Sequence, residues 1–250
     1  CCEAIEPLRP VDILQGVWYT VDHMTKTNKI ASFSFDSVAL VKRLLAAVPE
    51  RAREVLIRRF GLGTNAERET LESIGDRSGI TRERVRQIEA AGLDAIRASK
   101  AFKESSAAFE ELARYVHSLG AVVPEETLLS ALGKDEKSRN RFRFFLMVNS
   151  AFQRERETND FLARWHVDST TAKHIHNALT RLYSSLSDSD VIPEGEMLDR
   201  FLEELKEVND AYKNEEVLKR WLSLSKHIGK NPLAQWGRTT APAIRIKGIR

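Results

Sequence analysis

The stretch that most constrains the fold is residues 70–97, TLESIGDRSGITRERVRQIEAAGLDAIR. It predicts a short helix, a tight turn and a longer second helix. Gly75 leaves room for a neighbouring backbone, and Gly79 stands where the turn needs a positive φ. Thr81 is placed to cap the second helix. The apolar positions of that helix recur at helical spacing: Val85, Ile88, Leu93 and Ile96. The pattern therefore predicts a helix-turn-helix.

The other face of the second helix carries polar residues suited to reading DNA. These residues are Arg82, Glu83, Arg84, Arg86 and Gln87. Arginine can make two hydrogen bonds to guanine, glutamine can make two to adenine, and glutamate can accept one from cytosine N4. In a helix-turn-helix the second helix lies in the major groove. The sequence therefore predicts a DNA-binding protein.

The match extends beyond the generic motif. Together with VPERAREVLIRRFGLG at residues 48–63, this stretch resembles region four of the sigma-70 family of bacterial transcription initiation factors. The resemblance covers about residues 36–99, and TRERVRQIE is a highly specific part of it. It implies recognition of the upstream promoter hexamer, the minus-thirty-five element, in double-stranded DNA. It also implies the RNA polymerase core as a partner.

The resemblance assigns roles residue by residue. The positions that touch base edges in the family correspond to Arg82, Glu83 and Gln87. The positions expected at the DNA backbone are Arg51, Arg59, Thr70, Leu71 and Glu72. Arg84 and Arg86 are expected either to bind phosphates as well or to pair with Glu89 and neighbouring acids. For Arg51 and Arg59 the alternative is a solvated basic face, as is usual for arginine on an exposed helix.

A second unit is predicted over residues 105–190. Three helical patterns are followed by a hairpin pattern, which together resemble a winged helix. The second hairpin strand alternates apolar residues at period two: Phe161, Ala163, Trp165 and Val167. The third helix carries Arg139, Arg141 and Arg143, which form a second candidate DNA surface. The alternative is a packing or protein-contact module in which these arginines are only solvated.

The predicted fold class is mainly α. A helix-turn-helix domain over residues 32–100 precedes the winged-helix-like domain with its one β-hairpin, and a helical C-terminal part follows. We expect a poorly ordered arm over residues 1–31, a helical segment over residues 191–230 and a linker over residues 231–250. The tail resembles the lead-in to a HARE-HTH domain. Because the chain lacks an initiator Met and ends abruptly, we expect a fragment or a processed product.

Composition narrows the class of protein further. Charged residues make up 30% and hydrophobic residues 42%, which is typical of globular proteins. The net charge of +3 is mild, so a nucleic-acid surface must come from the placement of charge. The sequence shows neither an apolar run of membrane-spanning length nor a signal peptide. Cys1 and Cys2 are adjacent and suit neither a disulfide framework nor a metal site, so we expect a cytoplasmic protein.

Signatures of enzymes are missing from the sequence. It contains no phosphate-binding glycine loop, no HExxH, no GxSxG and no catalytic cysteine context. His174 and His176 are two residues apart and would face different ways on a helix, which makes a poor metal pair. We therefore expect no catalytic activity, cofactor, metal or small-molecule substrate.

The predicted function is sequence-specific binding of promoter DNA in bacterial transcription initiation or its regulation, together with RNA polymerase. Two alternatives stay open. One is an adaptor that binds polymerase or a sigma factor without reading bases; the other is a DNA-targeting subunit of a nuclease system, which HARE-HTH modules also accompany. About 35 residues precede the first helix, too few for the region that melts promoters in sigma factors. We therefore expect that this chain does not open promoters by itself.

Overall fold

The computed structural model describes residues 30–245. Of the predicted arm, residues 1–29 lie outside the described residues, as do residues 246–250 of the predicted linker. Within residues 30–245, no helix combines the length and the apolar character needed to cross a bilayer.

Five helices form the N-terminal part of the described structure. Their bounds are α1 Ser37–Ala46, α2 Glu50–Phe60, α3 Leu71–Ser78, α4 Arg82–Ala98 and the single turn α5 Lys100–Lys103. Local signals explain where they begin and end. Asp36 caps α1 by accepting a hydrogen bond from the Val38 N–H, at 2.8 Å. Gly61 ends α2 in the left-handed conformation, with φ 62°.

The next unit has the element order of a winged helix. Its elements are α6 Ser106–Ser118, β1 Val122–Pro124, α7 Glu125–Leu132, α8 Glu136–Val148, β2 Gln153–Glu155 and β3 Arg164–His166. The three strands form one antiparallel sheet in the order β1-β3-β2. Trp165 on β3 lies opposite both Val123 and Arg154 and is buried. The predicted β-hairpin is therefore confirmed, although its second strand is shorter than the alternating pattern indicated.

The C-terminal part repeats this element order. Its elements are α9 Ser169–Ser185, β4 Ile192–Pro193, α10 Glu194–Glu204, a 3-10 turn Asp210–Tyr212, α11 Glu215–Leu222, β5 Ile228–Lys230 and β6 Gln235–Arg238. The sheet order is β4-β6-β5. We predicted only helices and a linker here, so the structure adds a second hairpin. Its strands are too short to show the alternation from which a strand can be predicted.

The described residues bury two large apolar clusters. The first runs from Leu40 to Trp165 and joins the N-terminal helices to the first winged-helix unit. The second gathers α9, α10 and α11 around Trp221 and Trp236. The first cluster therefore includes side chains on both sides of residues 100–105, where we placed a domain boundary. The predicted division into domains stays a prediction.

The loop between β2 and β3 packs against the C-terminal part, α9 to β6, which we call the second winged-helix unit. Phe161 forms a β-bridge with Ser225. On either side of it, the Leu162 N–H donates to the Leu224 carbonyl at 2.9 Å and the Lys226 N–H donates to the Asp160 carbonyl at 2.8 Å. These backbone bonds take the place of pairing within the hairpin, which explains why β3 is short.

A buried polar cluster lies beside this contact. Arg164, whose side chain is only 4% exposed, pairs with Glu155 and donates through Nε to Nε2 of His176 at 2.7 Å. His176 must therefore accept at Nε2, which requires the neutral ring. Burial first, and then the positive charge of Arg164, lowers the pKa of His176 to about 4.

This lowered pKa predicts a loss of stability in acid. The unfolded chain binds a proton at His176 below about pH 6.5, whereas the folded chain does not until about pH 4. The free energy of unfolding should therefore fall, by on the order of 1–2 kcal/mol after allowing for partial exposure, as pH drops through that window. Urea titrations at a series of pH values measure this free energy.

The variant His176→Gln keeps an acceptor for Arg164, and its free energy of unfolding should show a shallower pH dependence. Equal pH dependence in the two proteins would contradict the assignment.

Candidate nucleic-acid interface

The helix-turn-helix is built by short-range capping. Thr70 caps α3 by accepting from the Ser73 N–H, and Gly79 ends it with φ 63°. Thr81 then caps α4 by accepting from the Arg84 N–H at 3.1 Å. A Cβ on Gly75 would lie 2.6 Å from the Ile80 carbonyl oxygen, so only glycine lets the turn approach so closely. The predicted turn, cap and close approach are confirmed.

A small apolar cluster fixes the direction of α4. Val55 of α2, Ile74 of α3 and Val85 of α4 are buried together. Further along α4, an added Cβ on Gly92 would lie 3.2 Å from a Leu56 methyl carbon. α4 therefore packs closely against both neighbouring helices and presents a fixed opposite face to solvent.

That face carries all five polar residues expected from the sequence. Arg82, Glu83, Arg84, Arg86 and Gln87 are exposed. Arg86 donates twice to the Glu83 carboxylate, at 2.7 and 2.9 Å. Arg84 donates to the side-chain oxygen of Gln87 at 3.1 Å. Within residues 30–245 Arg82 makes no ion pair.

These contacts bear on the two alternatives for Arg84 and Arg86. Arg86 pairs with an acid, as one alternative held, but with Glu83 rather than Glu89. The hydrogen bonds from Arg86 lower the pKa of Glu83 below its ordinary value. Glu83 is therefore an ionised acceptor in the free protein.

The two arginines of α2 have different surroundings. Arg51 is exposed and lines a shallow groove with Ser78 and Ile80. Arg59 is half-buried: it donates to the Glu69 carbonyl at 3.2 Å, and its Nε lies 3.5 Å from a Glu89 carboxylate oxygen. Arg59 thus ties α2 to the segment before α3 and to α4. The sequence alone did not show that Arg51 and Arg59 differ in their surroundings.

Three residues at the start of α3 were expected to contact the DNA backbone, and two of them face solvent. Thr70 and Glu72 are exposed. Leu71 is half-buried and packs against the Val55, Ile74 and Val85 cluster. Its side chain therefore contributes to packing, while its neighbours face solvent.

The arginines of the second candidate DNA surface all donate within the protein. Arg139 donates to the Gly133 carbonyl at 3.0 Å and Arg141 donates to the Ser37 hydroxyl at 3.0 Å. Arg143 donates to the Asn140 side-chain oxygen at 2.7 Å, and burial lowers its pKa. Six of the 13 residues of their helix, α8, are buried, and five of these six belong to the first apolar cluster. These contacts support the packing alternative, and DNA binding by this helix stays a prediction.

One residue that orients α4 was not predicted from the sequence. Arg97, in the last turn of α4, donates to the Val148 carbonyl at 2.7 Å and to the Met147 carbonyl at 2.9 Å. It thereby fixes the end of α4 to the end of α8, where free carbonyls and the helix dipole favour a cation. The sequence carries no signal for this contact, because the partners are about 50 residues apart.

The two histidines considered for metal binding have separate partners. The His174 Nδ1 lies 3.2 Å from the Glu207 carbonyl oxygen, whereas His176 faces Arg164. In the part of the chain that the structure describes, no group of three or more His, Cys, Asp or Glu side chains is placed to hold a metal ion.

Comparison with known proteins agrees with this geometry. Residues 44–98 match the family described as Sigma-70, region 4. The segment is a sigma-70 region 4-like helix-turn-helix. Region 4 is a DNA-binding helix-turn-helix in sigma factors, which supports a DNA-binding role in transcription for this region 4-like module.

A curated relative supports the same assignment. RNA polymerase sigma factor RpoS of Coxiella burnetii (strain RSA 493 / Nine Mile phase I) is 53% identical over 57 residues. The alignment covers 23% of this chain and 16% of that relative, so the chain spans only a small part of its length. No solved structure matches the chain. The predicted resemblance of the tail to a HARE-HTH lead-in stays a prediction.

The close approach at Gly75 predicts an unusual response to alanine. Glycine to alanine within a helix is usually stabilising. Here the new methyl group would press on the Ile80 carbonyl oxygen, so Gly75→Ala should lower the free energy of unfolding by about 1–3 kcal/mol. Urea denaturation measures this. Gly195→Ala in α10 is the control, since its Cβ would meet nothing within 4 Å. A Gly75→Ala protein as stable as wild type would show that the turn tolerates a side chain.

Proposed function

We propose that this chain binds double-stranded promoter DNA in a sequence-specific manner through α4, and acts with RNA polymerase in bacterial transcription initiation or its regulation. The observation that carries the proposal is the exposed polar face of α4 within the region 4-like segment. A buried apolar cluster holds this face outward, and the residues on it are the types that recognise base edges.

Base reading is assigned to Arg82, Glu83 and Gln87. Arg82 stands at the start of α4 without an ion-pair partner in the described residues, so its full set of donors is open to guanine. Arg84 donates to the Gln87 oxygen and so orients the amide. That oxygen keeps a second lone pair, so the amide can still donate to adenine N7 and accept from adenine N6. Glu83 is oriented by Arg86. Orienting side chains before binding lowers the entropy lost on association.

Backbone contact is assigned to the residues around this reading face. Thr70 and Glu72 stand at the N-terminus of α3, where free N–H groups favour a phosphate. Arg51 is exposed and without an ion pair in the described part of the chain. Arg84 and Arg86 retain further N–H donors beyond those used on Gln87 and Glu83. Arg59 contributes mainly by holding α2 against α4.

The proposal that RNA polymerase is a partner rests on the curated relative. The matching protein is named an RNA polymerase sigma factor, and it is 53% identical to this chain over 57 residues. An adaptor that binds polymerase without reading bases would need no free Arg82 and no oriented Gln87. The following experiments separate these two functions.

The first prediction concerns base reading. Arg82→Ala and Gln87→Ala should each cost about 1–3 kcal/mol of discrimination between a selected duplex and its single-base variants, because each removes a bidentate base contact. Duplexes are selected from a random pool with the whole chain, and affinities are measured by fluorescence anisotropy. Arg114→Ala, at an exposed arginine on α6, is the control. Equal losses on matched and mismatched duplexes would show that Arg82 and Gln87 do not read bases. The absence of any duplex enriched from the pool would support the adaptor function.

The second prediction separates Arg51 from Arg59. Arg51→Ala should weaken binding to every duplex alike and reduce the slope of log affinity against log salt by about one, as loss of one phosphate contact does. Arg59→Ala should in addition lower the free energy of unfolding by about 1–2 kcal/mol, because it removes the hydrogen bond to the Glu69 carbonyl and the ion pair with Glu89. Salt titrations and urea denaturation measure the two effects. An unchanged salt slope in Arg51→Ala would remove this residue from the interface.

A further inference from the structure

A concave surface lies where α1 meets α8, and we call it the α1–α8 notch. It has a volume of about 120 Å³, and its wall includes the loop Gly61–Gly63 that follows α2. None of its lining residues comes from α3 or α4. The notch is therefore separate from the face assigned to DNA, and it exists only where the region 4-like helices and the first winged-helix unit come together.

The rim of the notch is positively charged. Lys42, Lys137 and Arg141 line it, and no carboxylate does. Both lysines are exposed, and neither forms an ion pair within residues 30–245. Arg141 is held in place by bonds to the hydroxyls of Ser37 at 3.0 Å and Ser138 at 3.1 Å. The rim therefore offers one oriented guanidinium and two exposed ammonium groups to an anionic ligand.

The floor of the notch is apolar. Val38 is 42% exposed, and it is one of five large apolar residues that are exposed within residues 30–245. It stands beside Val41 and Leu62. An apolar cavity of about 150 Å³ accepts a benzene molecule. A notch of this size therefore suits one branched aliphatic side chain, whose burial would also cover Val38.

We propose that the α1–α8 notch binds an acidic peptide segment of a protein partner. One aliphatic side chain enters the notch, and flanking carboxylates lie on Lys42, Lys137 and Arg141. Charge complementarity requires an acidic ligand. A DNA backbone would satisfy the rim but would leave the apolar floor wet, so the floor favours a peptide. This binding does not depend on DNA recognition by α4.

Selection of random short peptides displayed on phage, with the whole chain immobilised, provides the ligand for the test. Enriched peptides should carry Asp or Glu on both sides of Leu, Ile or Val. A labelled peptide of that sequence should bind saturably, and more weakly as ionic strength rises. Replacing its aliphatic residue with serine should weaken binding at least about fivefold, since the apolar contact is lost.

Two sets of variants locate the site. The double variant Lys42→Glu with Lys137→Glu, and separately Val38→Asp, should each weaken the peptide at least about fivefold. All three residues are exposed, and unfolding curves confirm that the variants fold. The control is Lys173→Glu with Lys206→Glu, two exposed lysines also without ion pairs in the described residues. Unchanged binding in this control supports the notch.

Several results would overturn the proposal. Failure to enrich acidic peptides, or equal weakening by the control pair, would show that the rim attracts anions without a defined site. Equal binding of the serine peptide would remove the role of the floor. A loss of duplex affinity in Lys42→Glu with Lys137→Glu, without peptide binding by the wild type, would assign the rim to the DNA backbone. DNA affinity and peptide affinity are measured separately, so failure of the proposed function leaves this result unaffected.

Discussion

The packing of α8 against the region 4-like helices is the interaction on which the rest of the structure depends. Phe142, Phe144 and Phe145 are buried between the two units, and Phe144 meets the ring of Phe60 edge to face at 5.4 Å between centroids. Buried aromatic pairs of this kind add to the area they remove from water. Because α8 is committed to this core, its arginines donate inward. Asn140 of α8 also donates to the carbonyls of Gly61 and Ala66 in the loop after α2, and the last carbonyls of α8 accept from Arg97.

Arginine has two different roles along the chain, which depend on whether its side chain is buried or exposed. Arg59, Arg97 and Arg164 are partly or fully buried and bind carbonyl, carboxylate or imidazole groups that would otherwise lack partners. Arg82 and Arg51 are exposed and lack ion-pair partners in the described residues. A mild net charge is therefore compatible with a DNA interface, since a few exposed arginines placed at the helix-turn-helix are enough to attract phosphates locally.

The features that sequence predicted are those fixed by neighbouring residues. Gly79 and Thr81 act on groups three or four residues away, so their roles were predicted and are confirmed. The contacts of Arg97, and the β-bridge of Phe161 with Ser225, join residues far apart in sequence and carry no local pattern. The polar face of α4 was predicted from helical spacing and its base-contacting roles from the resemblance, but the pairing of Glu83 with Arg86 required the structure.

Dimethyl sulfate protection on a selected duplex tests the central claim most directly, because the reagent methylates guanine N7 in the major groove and adenine N3 in the minor groove. If α4 reads bases as proposed, the whole chain should protect a short run of guanines at N7, and Arg82→Ala should expose one of them again. Adenine N3 within that run should stay reactive. Saturating binding with every guanine N7 still reactive, or with protection confined to adenine N3, would contradict recognition by α4 in the major groove.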